Sequence, residues 1–141
     1  CRGMNGKDRA PAVQEAIEYV DLGDSTRKRM GSLSGGMRQR AGIAGAVVGH
    51  PELLILDEPT VGLDPQQREH FRRLISDAPA QTVLLSTHMT DDVDLIADHV
   101  SVVHEGRILA DEPTSAFSAG YASTQAAYLA LISPPADETA E

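Results

Sequence analysis

The chain has one cysteine, no tryptophan and only 4% aromatic residues. A lone thiol permits no internal disulfide and no multi-cysteine metal site, so a reducing compartment is the expected setting. Basic residues are scarce too: 12 Lys and Arg stand against 21 Asp and Glu, a net charge of −9 over 141 residues. Electrostatic binding to nucleic acid calls for a basic face, and this balance argues against it. No apolar run approaches the roughly 20 residues that span a bilayer. No signal peptide is visible in the polar opening Cys1-Arg2-Gly3. What is there is an ordinary globular composition, 41% hydrophobic, sufficient for one domain or a piece of one.

Helical and strand patterns alternate along the chain, which predicts an α/β layered architecture. Val13, Ala16, Ile17 and Val20 share one face of a helix expected to begin near Pro11 and to end at Asp21-Leu22-Gly23-Asp24. Ser34 is a good N-cap for a second helix through Met37, Ala41, Ile43, Ala44 and Val47, stopped by Gly49-His50-Pro51. Arg38 and Arg40 read as its exposed face. Leu53 to Leu56 is continuously apolar, as a strand buried on both faces of a parallel sheet would be. A loop from Pro59 to Pro65 leads to a helix near Gln66–Ser76, and Thr82–Ser86 reads as a second buried strand. Thr90 is placed to cap a further helix, with Asp91 and Asp92 in its first turn. Val100, Val102, Ile108 and Leu109 flank Glu105-Gly106, which predicts a hairpin. A short helix after Pro113 and an alanine-rich segment around Ala126–Ile132 complete a domain spanning 1–132. Within it, 1–49 is helical and 50–110 forms the strand-to-hairpin core. Residues 133–141, rich in proline and acids, are expected to be a disordered tail.

In open α/β sheets, ligands sit beyond the carboxyl ends of the strands. Asp57-Glu58 and His88 each follow a predicted strand, so they converge on one sheet edge. Adjacent carboxylates suit phosphoryl transfer: one holds Mg²⁺ directly or through water, and the next orients or deprotonates an attacking water. An imidazole nearby can contact a terminal phosphate. Backbone N–H groups at the start of the Ser34 helix form an anion site. Singly, each feature has an ordinary explanation: a flexible Ser-Gly-Gly turn, a solvated acid pair, a surface histidine. His50, His70, His99 and His104 keep that ordinary explanation.

Taken in order, the motifs resemble those of the ABC ATPase family. Leu33-Ser34-Gly35-Gly36-Met37 is similar to its signature, and Leu53-Leu54-Ile55-Leu56-Asp57 to its Walker B strand, with Glu58 where the family has its catalytic glutamate. Leu63-Asp64, within Val61-Gly62-Leu63-Asp64-Pro65, is similar to the D-loop, and His88 in Ser86-Thr87-His88 to the switch histidine. Met37 departs from the family's usual Gln.

The resemblance implies a partial P-loop NTPase domain with mostly parallel buried strands, a helical signature segment and a C-terminal hairpin. Its cofactors would be ATP and Mg²⁺. Its partners would be a second nucleotide-binding domain, arranged head to tail, and a transmembrane permease, placing the chain in the cytoplasm at the inner face of the membrane. It implies that Ser34, Gly35 and Gly36 hold the γ-phosphate of ATP on the opposing domain, and that Asp57 supports Mg²⁺ through water. Glu58 would polarise water, Asp64 would communicate across the dimer, and His88 would sense the γ-phosphate.

One element of that family is not in the sequence: there is no G-x-x-x-x-G-K-[ST] string to cradle phosphates. Gly6-Lys7-Asp8 has Cys1 at the first glycine's place and an acid for Ser/Thr, and reads as a turn before the first helix. The expectation is therefore the C-terminal portion of a nucleotide-binding domain, inactive on its own. Asp111-Glu112-Pro113-Thr114 repeats the letters of Asp57–Thr60 without the apolar run before it, and reads as a helix start. The leading function is the ATPase subunit of an ABC transporter, with the Leu33–Met37 form leaning toward bacterial export. A non-enzymatic remnant and a ribosome-acting relative are the alternatives, and Val61-Gly62-Leu63-Asp64 speaks against the second.

Overall fold

A computed structural model describes residues 4–80 and 82–133. The chain divides after His88 into two compact units.

The first unit opens with α1 (Gly6–Tyr19) and α2 (Gly35–Val47), joined through two single turns of 3₁₀ helix, Gly23–Ser25 and Met30–Ser32. There follow β1 (Leu53–Asp57), α3 (Pro65–Ser76) and β2 (Thr82–Ser86). The first helix starts five residues earlier than the sequence suggests, with Pro11 inside it. One interior proline removes one intrahelical bond, and the helix still starts ahead of it, with Asp8 N–H donating to the Asn5 carbonyl at 3.0 Å. Gly6-Lys7-Asp8 is thus the first helical turn rather than a preceding loop, with Asp8 near the positive end of the dipole.

Ser34 caps α2 as expected, accepting from the Met37 N–H at 3.2 Å, and Asp64 caps α3, accepting from the Gln67 N–H at 2.8 Å. Pro65 at the first position of α3 is preorganised for the helix and has no N–H to lose. Arg40 is not the exposed residue its helical position suggested. It is half-buried, its Nη1 donating to the carbonyls of Val20 (3.1 Å) and Asp21 (3.0 Å), where the end of α1 presents unpaired acceptors. Tyr19 Oη donates to the Leu74 carbonyl, tying α1 to α3. Burial, aided by the Asp77 charge, pushes the Tyr19 phenol up to about 12.

β1 and β2 pair in parallel, Leu53 opposite Thr82 through Asp57 opposite Ser86. Two-sided burial is not what they show. Leu54 is buried at 2% exposure, yet Leu53, Ile55 and Leu84 are 50%, 63% and 57% exposed. Alternation explains the split: Leu54 points to the buried side of the strand pair, while residues one step away point to the opposite face, which the described residues leave open. An open apolar hollow of about 930 Å³ adjoins that face, lined among others by Val13, Ile17, Met30, Leu53 and Ile55.

The second unit holds α4 (Thr90–Ile96), the antiparallel hairpin β3 (His99–His104) and β4 (Arg107–Pro113), α5 (Thr114–Phe117) and α6 (Thr124–Ile132). Val102, Phe117 and Ala127 form its core, with Val100, Ala110 and Tyr128 packed around them. Glu105 and Gly106 both take positive φ (48° and 74°), as a type I′ hairpin turn requires. Thr90 is the first helical residue of α4, and Met89, not Thr90, occupies the cap position. The repeat Asp111-Glu112-Pro113 lies in β4, not at a helix start, and α5 begins only at Thr114. Cross-strand neighbours decide this: Ser101 Oγ donates to Asp111 Oδ1 at 2.6 Å, and His99 Nε2 lies 3.0 Å from the same oxygen. The Ser101 bond first, then the His99 bond, hold the Asp111 carboxyl below the usual range. The tail beyond Ser133 lies outside the described residues. Among the described residues, no helix is long and apolar enough to cross a membrane.

Candidate functional site

The carboxyl ends of β1 and β2 bring three of the sequence-predicted residues together. Asp57 ends β1 directly opposite Ser86, so both side chains leave the same face of the parallel pair, and Ser86 Oγ donates to Asp57 Oδ1. One residue on, the Glu58 N–H donates to the Ser86 carbonyl at 3.0 Å, extending the ladder one step past the strand. The same N–H lies 3.3 Å from Ser86 Oγ.

Glu58 then turns sharply, with φ +43°. For a residue with a Cβ, the left-handed region costs about 1–2 kcal/mol, and such strain concentrates at functional sites. The turn carries the Glu58 carboxylate to His88, whose Nδ1 lies 2.9 Å from both carboxylate oxygens. A carboxylate only accepts, so Nδ1 is the protonated nitrogen. Both side chains are substantially exposed, at 39% for Glu58 and 67% for His88. A pair of that kind adds about 0–1 kcal/mol to stability. It does not offset the backbone strain. The arrangement puts a carboxylate and an imidazole in hydrogen-bond contact beside a second carboxylate, all open to solvent at a sheet edge, the place where an α/β sheet receives its ligand.

Mg²⁺ fits this donor set. It is held through one or two carboxylates, with waters and substrate phosphates completing its shell, and Asp57 is an exposed carboxylate steadied by Ser86.

The signature residues lie at the start of α2. Ser34 and Gly35 are exposed; Gly36 is buried. A Cβ on Gly36 would stand 2.9 Å from Gln67 Cδ and Oε1, so glycine is what lets the Gln67 side chain lie against this turn. Gln67 in turn has its N–H capped by Asp64. The signature turn and the Asp64 cap are thus neighbours, with a polar hollow of about 240 Å³ between them lined by Ser34, Gln39, Gln67 and His70. Gln39 Nε2 donates to the Pro59 carbonyl at 2.6 Å, linking the signature helix to the segment just past Glu58.

A family model described as ABC transporter matches residues 4–61, which hold both the signature turn and the Asp57-Glu58 pair. The bacitracin transport ATP-binding protein BcrA of Bacillus licheniformis is 44% identical over 72% of this chain and 34% of its own length. This chain is part of an ABC transporter ATP-binding domain. The methionine import ATP-binding protein MetN of Streptomyces griseus is 39% identical over 76% of the chain and 31% of its own. Among solved structures, cbiO1 of Clostridium perfringens, part of the ABC transporter complex cbiONQ, superposes with a TM-score of 0.73 at 31% identity, covering 84% of this chain and 49% of that one. The ABC chain described here spans about a third of the length of the curated relatives it matches.

The contacts of two residues here come from register and packing rather than from a linear motif. Ser86 looked like the last residue of a strand, and only the register places it against Asp57. Gln39 is a polar residue of the signature helix, and only the packing brings it to Pro59.

Proposed function

We propose that this chain is the part of an ATP-hydrolysing ABC transporter subunit that carries the signature turn, the Asp57-Glu58 pair and His88. The observation that carries the reading is the Glu58–His88 pair set beside Asp57 at the carboxyl ends of two parallel strands. Glu58 accepts the proton of the attacking water, and the His88 imidazole holds the Glu58 carboxylate oriented toward it. Asp57 holds Mg²⁺, which when bound neutralises phosphate charge. Ser34 and Gly35 offer their polar groups at an exposed helix start, where α2's first N–H groups and dipole favour an anion. Gly36, covered by Gln67, contributes close approach rather than an exposed surface. The signature face serves ATP on a second nucleotide-binding domain, Asp64 lies where that partner docks, and a transmembrane permease holds the pair at the inner face of the membrane. By itself this 141-residue chain turns over no ATP, because its sequence holds no phosphate-cradling G-x-x-x-x-G-K-[ST] string.

The head-to-tail arrangement has a direct test in the complete subunit paired with a copy of itself. Ser34→Arg and Glu58→Gln each abolish turnover alone, since every site then has one defective half. Mixing the two restores partial turnover, because one site in the mixed pair draws an intact Glu58 from one copy and an intact Ser34 from the other. Mixtures as inactive as either variant would refute the arrangement.

A further inference from the structure

We infer that Ser86 is a positioning residue for the two carboxylates, through a single hydroxyl that holds the Asp57 carboxylate and the Glu58 backbone in one arrangement. The inference rests on the ATPase reading above. A serine hydroxyl has one hydrogen to donate and two lone pairs to accept with. Here the hydrogen goes to Asp57 Oδ1, and a lone pair faces the Glu58 N–H at 3.3 Å. Two consecutive residues with different tasks are therefore set from one point on the neighbouring strand. Two residues further on, His88 holds the Glu58 carboxylate itself. The end of β2 thus presents a pair of clamps, Ser86 on Asp57 and His88 on Glu58.

The second link is what sets Ser86 apart from an ordinary serine–aspartate contact. Ser101 also donates to an aspartate, Asp111, but reaches across a hairpin and bonds no second acid among the described residues. Ser86 lies opposite the end of β1, beside the φ +43° turn at Glu58, and supplies an additional acceptor to the one N–H that fixes the turn's start. Losing the hydroxyl leaves the Ser86 carbonyl bond to the Glu58 N–H at 3.0 Å in place. The strand pairing therefore survives, and the effect falls on how Asp57 is aimed rather than on whether the sheet forms. Hydrogen-bond partners of metal-supporting groups, when removed, cost about 10- to 100-fold in metal affinity.

The test uses the complete subunit assembled with its permease and two readouts: the Mg²⁺ dependence of hydrolysis at saturating ATP, and Mn²⁺ binding followed by electron paramagnetic resonance with ATP present and Glu58→Gln blocking turnover. Ser86→Val keeps bulk without the hydroxyl; Ser86→Thr keeps the hydroxyl. The expected result is a weakening of Mn²⁺ binding by about tenfold or more in Ser86→Ala and Ser86→Val. The apparent KM for Mg²⁺ rises in parallel and kcat changes less. Ser86→Thr stays close to the parent, and Ser101→Ala changes neither readout. Unaltered Mn²⁺ affinity in Ser86→Ala, or a Ser86→Thr protein as impaired as Ser86→Val, would overturn the positioning role while leaving the ATPase reading intact. Turnover that persists in Glu58→Gln would instead overturn the reading beneath it.

Discussion

Glu58 is held at φ +43°, and the stability of substitutions there reports directly on that strain. An L-residue in the left-handed region costs about 1–2 kcal/mol, whereas glycine adopts it freely. Against this, glycine loses about 0.5–1 kcal/mol more conformational entropy on folding than alanine. The difference leaves Glu58→Gly about 1 kcal/mol more stable than Glu58→Ala. Both variants lose the His88 contact, so that pair cancels in the comparison. In a chain of 141 residues, about 1 kcal/mol corresponds to a melting shift of roughly 3–5 °C. Thermal unfolding followed by far-ultraviolet circular dichroism measures it, with urea midpoints as an independent check. A Glu58→Gly protein no more stable than Glu58→Ala would show that the turn is not strained. The argument that function retains an unfavourable backbone at Glu58 would then fail.

Three further outcomes follow from the packing and the titrating groups. Leu54→Ala, at a position 2% exposed on the buried side of the β1–β2 pair, should cost about 2–5 kcal/mol by urea denaturation; Ile55→Ala, 63% exposed, should cost far less. Tyr19, with its folded pKa raised to about 12, contributes stability that is complete below pH 10 and fades as pH climbs from 10 to 12. Tyr19→Phe should remove that alkaline dependence. Asp111 has a depressed folded pKa, so its contribution is present above about pH 4 and is lost as pH falls through the folded value. A carbon-13 titration of its carboxyl should show a rise toward the ordinary value in Ser101→Ala.

Most of what positions the site was legible because it rests on local chemistry. Ser34 and Asp64 are side chains that bond to N–H groups three residues on, which a linear reading captures. The Glu105-Gly106 turn, β1, β2 and α3 follow from turn residues and apolar runs in the same way. Most of the misreadings concern what lies across space. A run of four apolar residues signals burial on both faces, but Leu53 and Ile55 gain burial only if something covers their face. Arg40 sits on the expected helix, yet its exposure depends on where α1 ends. Proline is frequent at helix starts, but the turn begun at Gly6 places Pro11 inside α1. Ser86 could not be found without the register, since a parallel pairing slipped by one residue would place its hydroxyl on the opposite face from Asp57.

The most direct test of the central claim is ATP hydrolysis by the complete subunit in Mg²⁺, comparing the parent with Glu58→Gln and His88→Ala at equal ATP occupancy. Removal of a general base costs about 10²- to 10⁴-fold, so Glu58→Gln should lose at least the lower figure in kcat while still binding ATP. His88→Ala, which frees the Glu58 carboxylate, should also fall steeply. Parent-like turnover in both variants would contradict the assignment of hydrolysis to the Glu58–His88 pair.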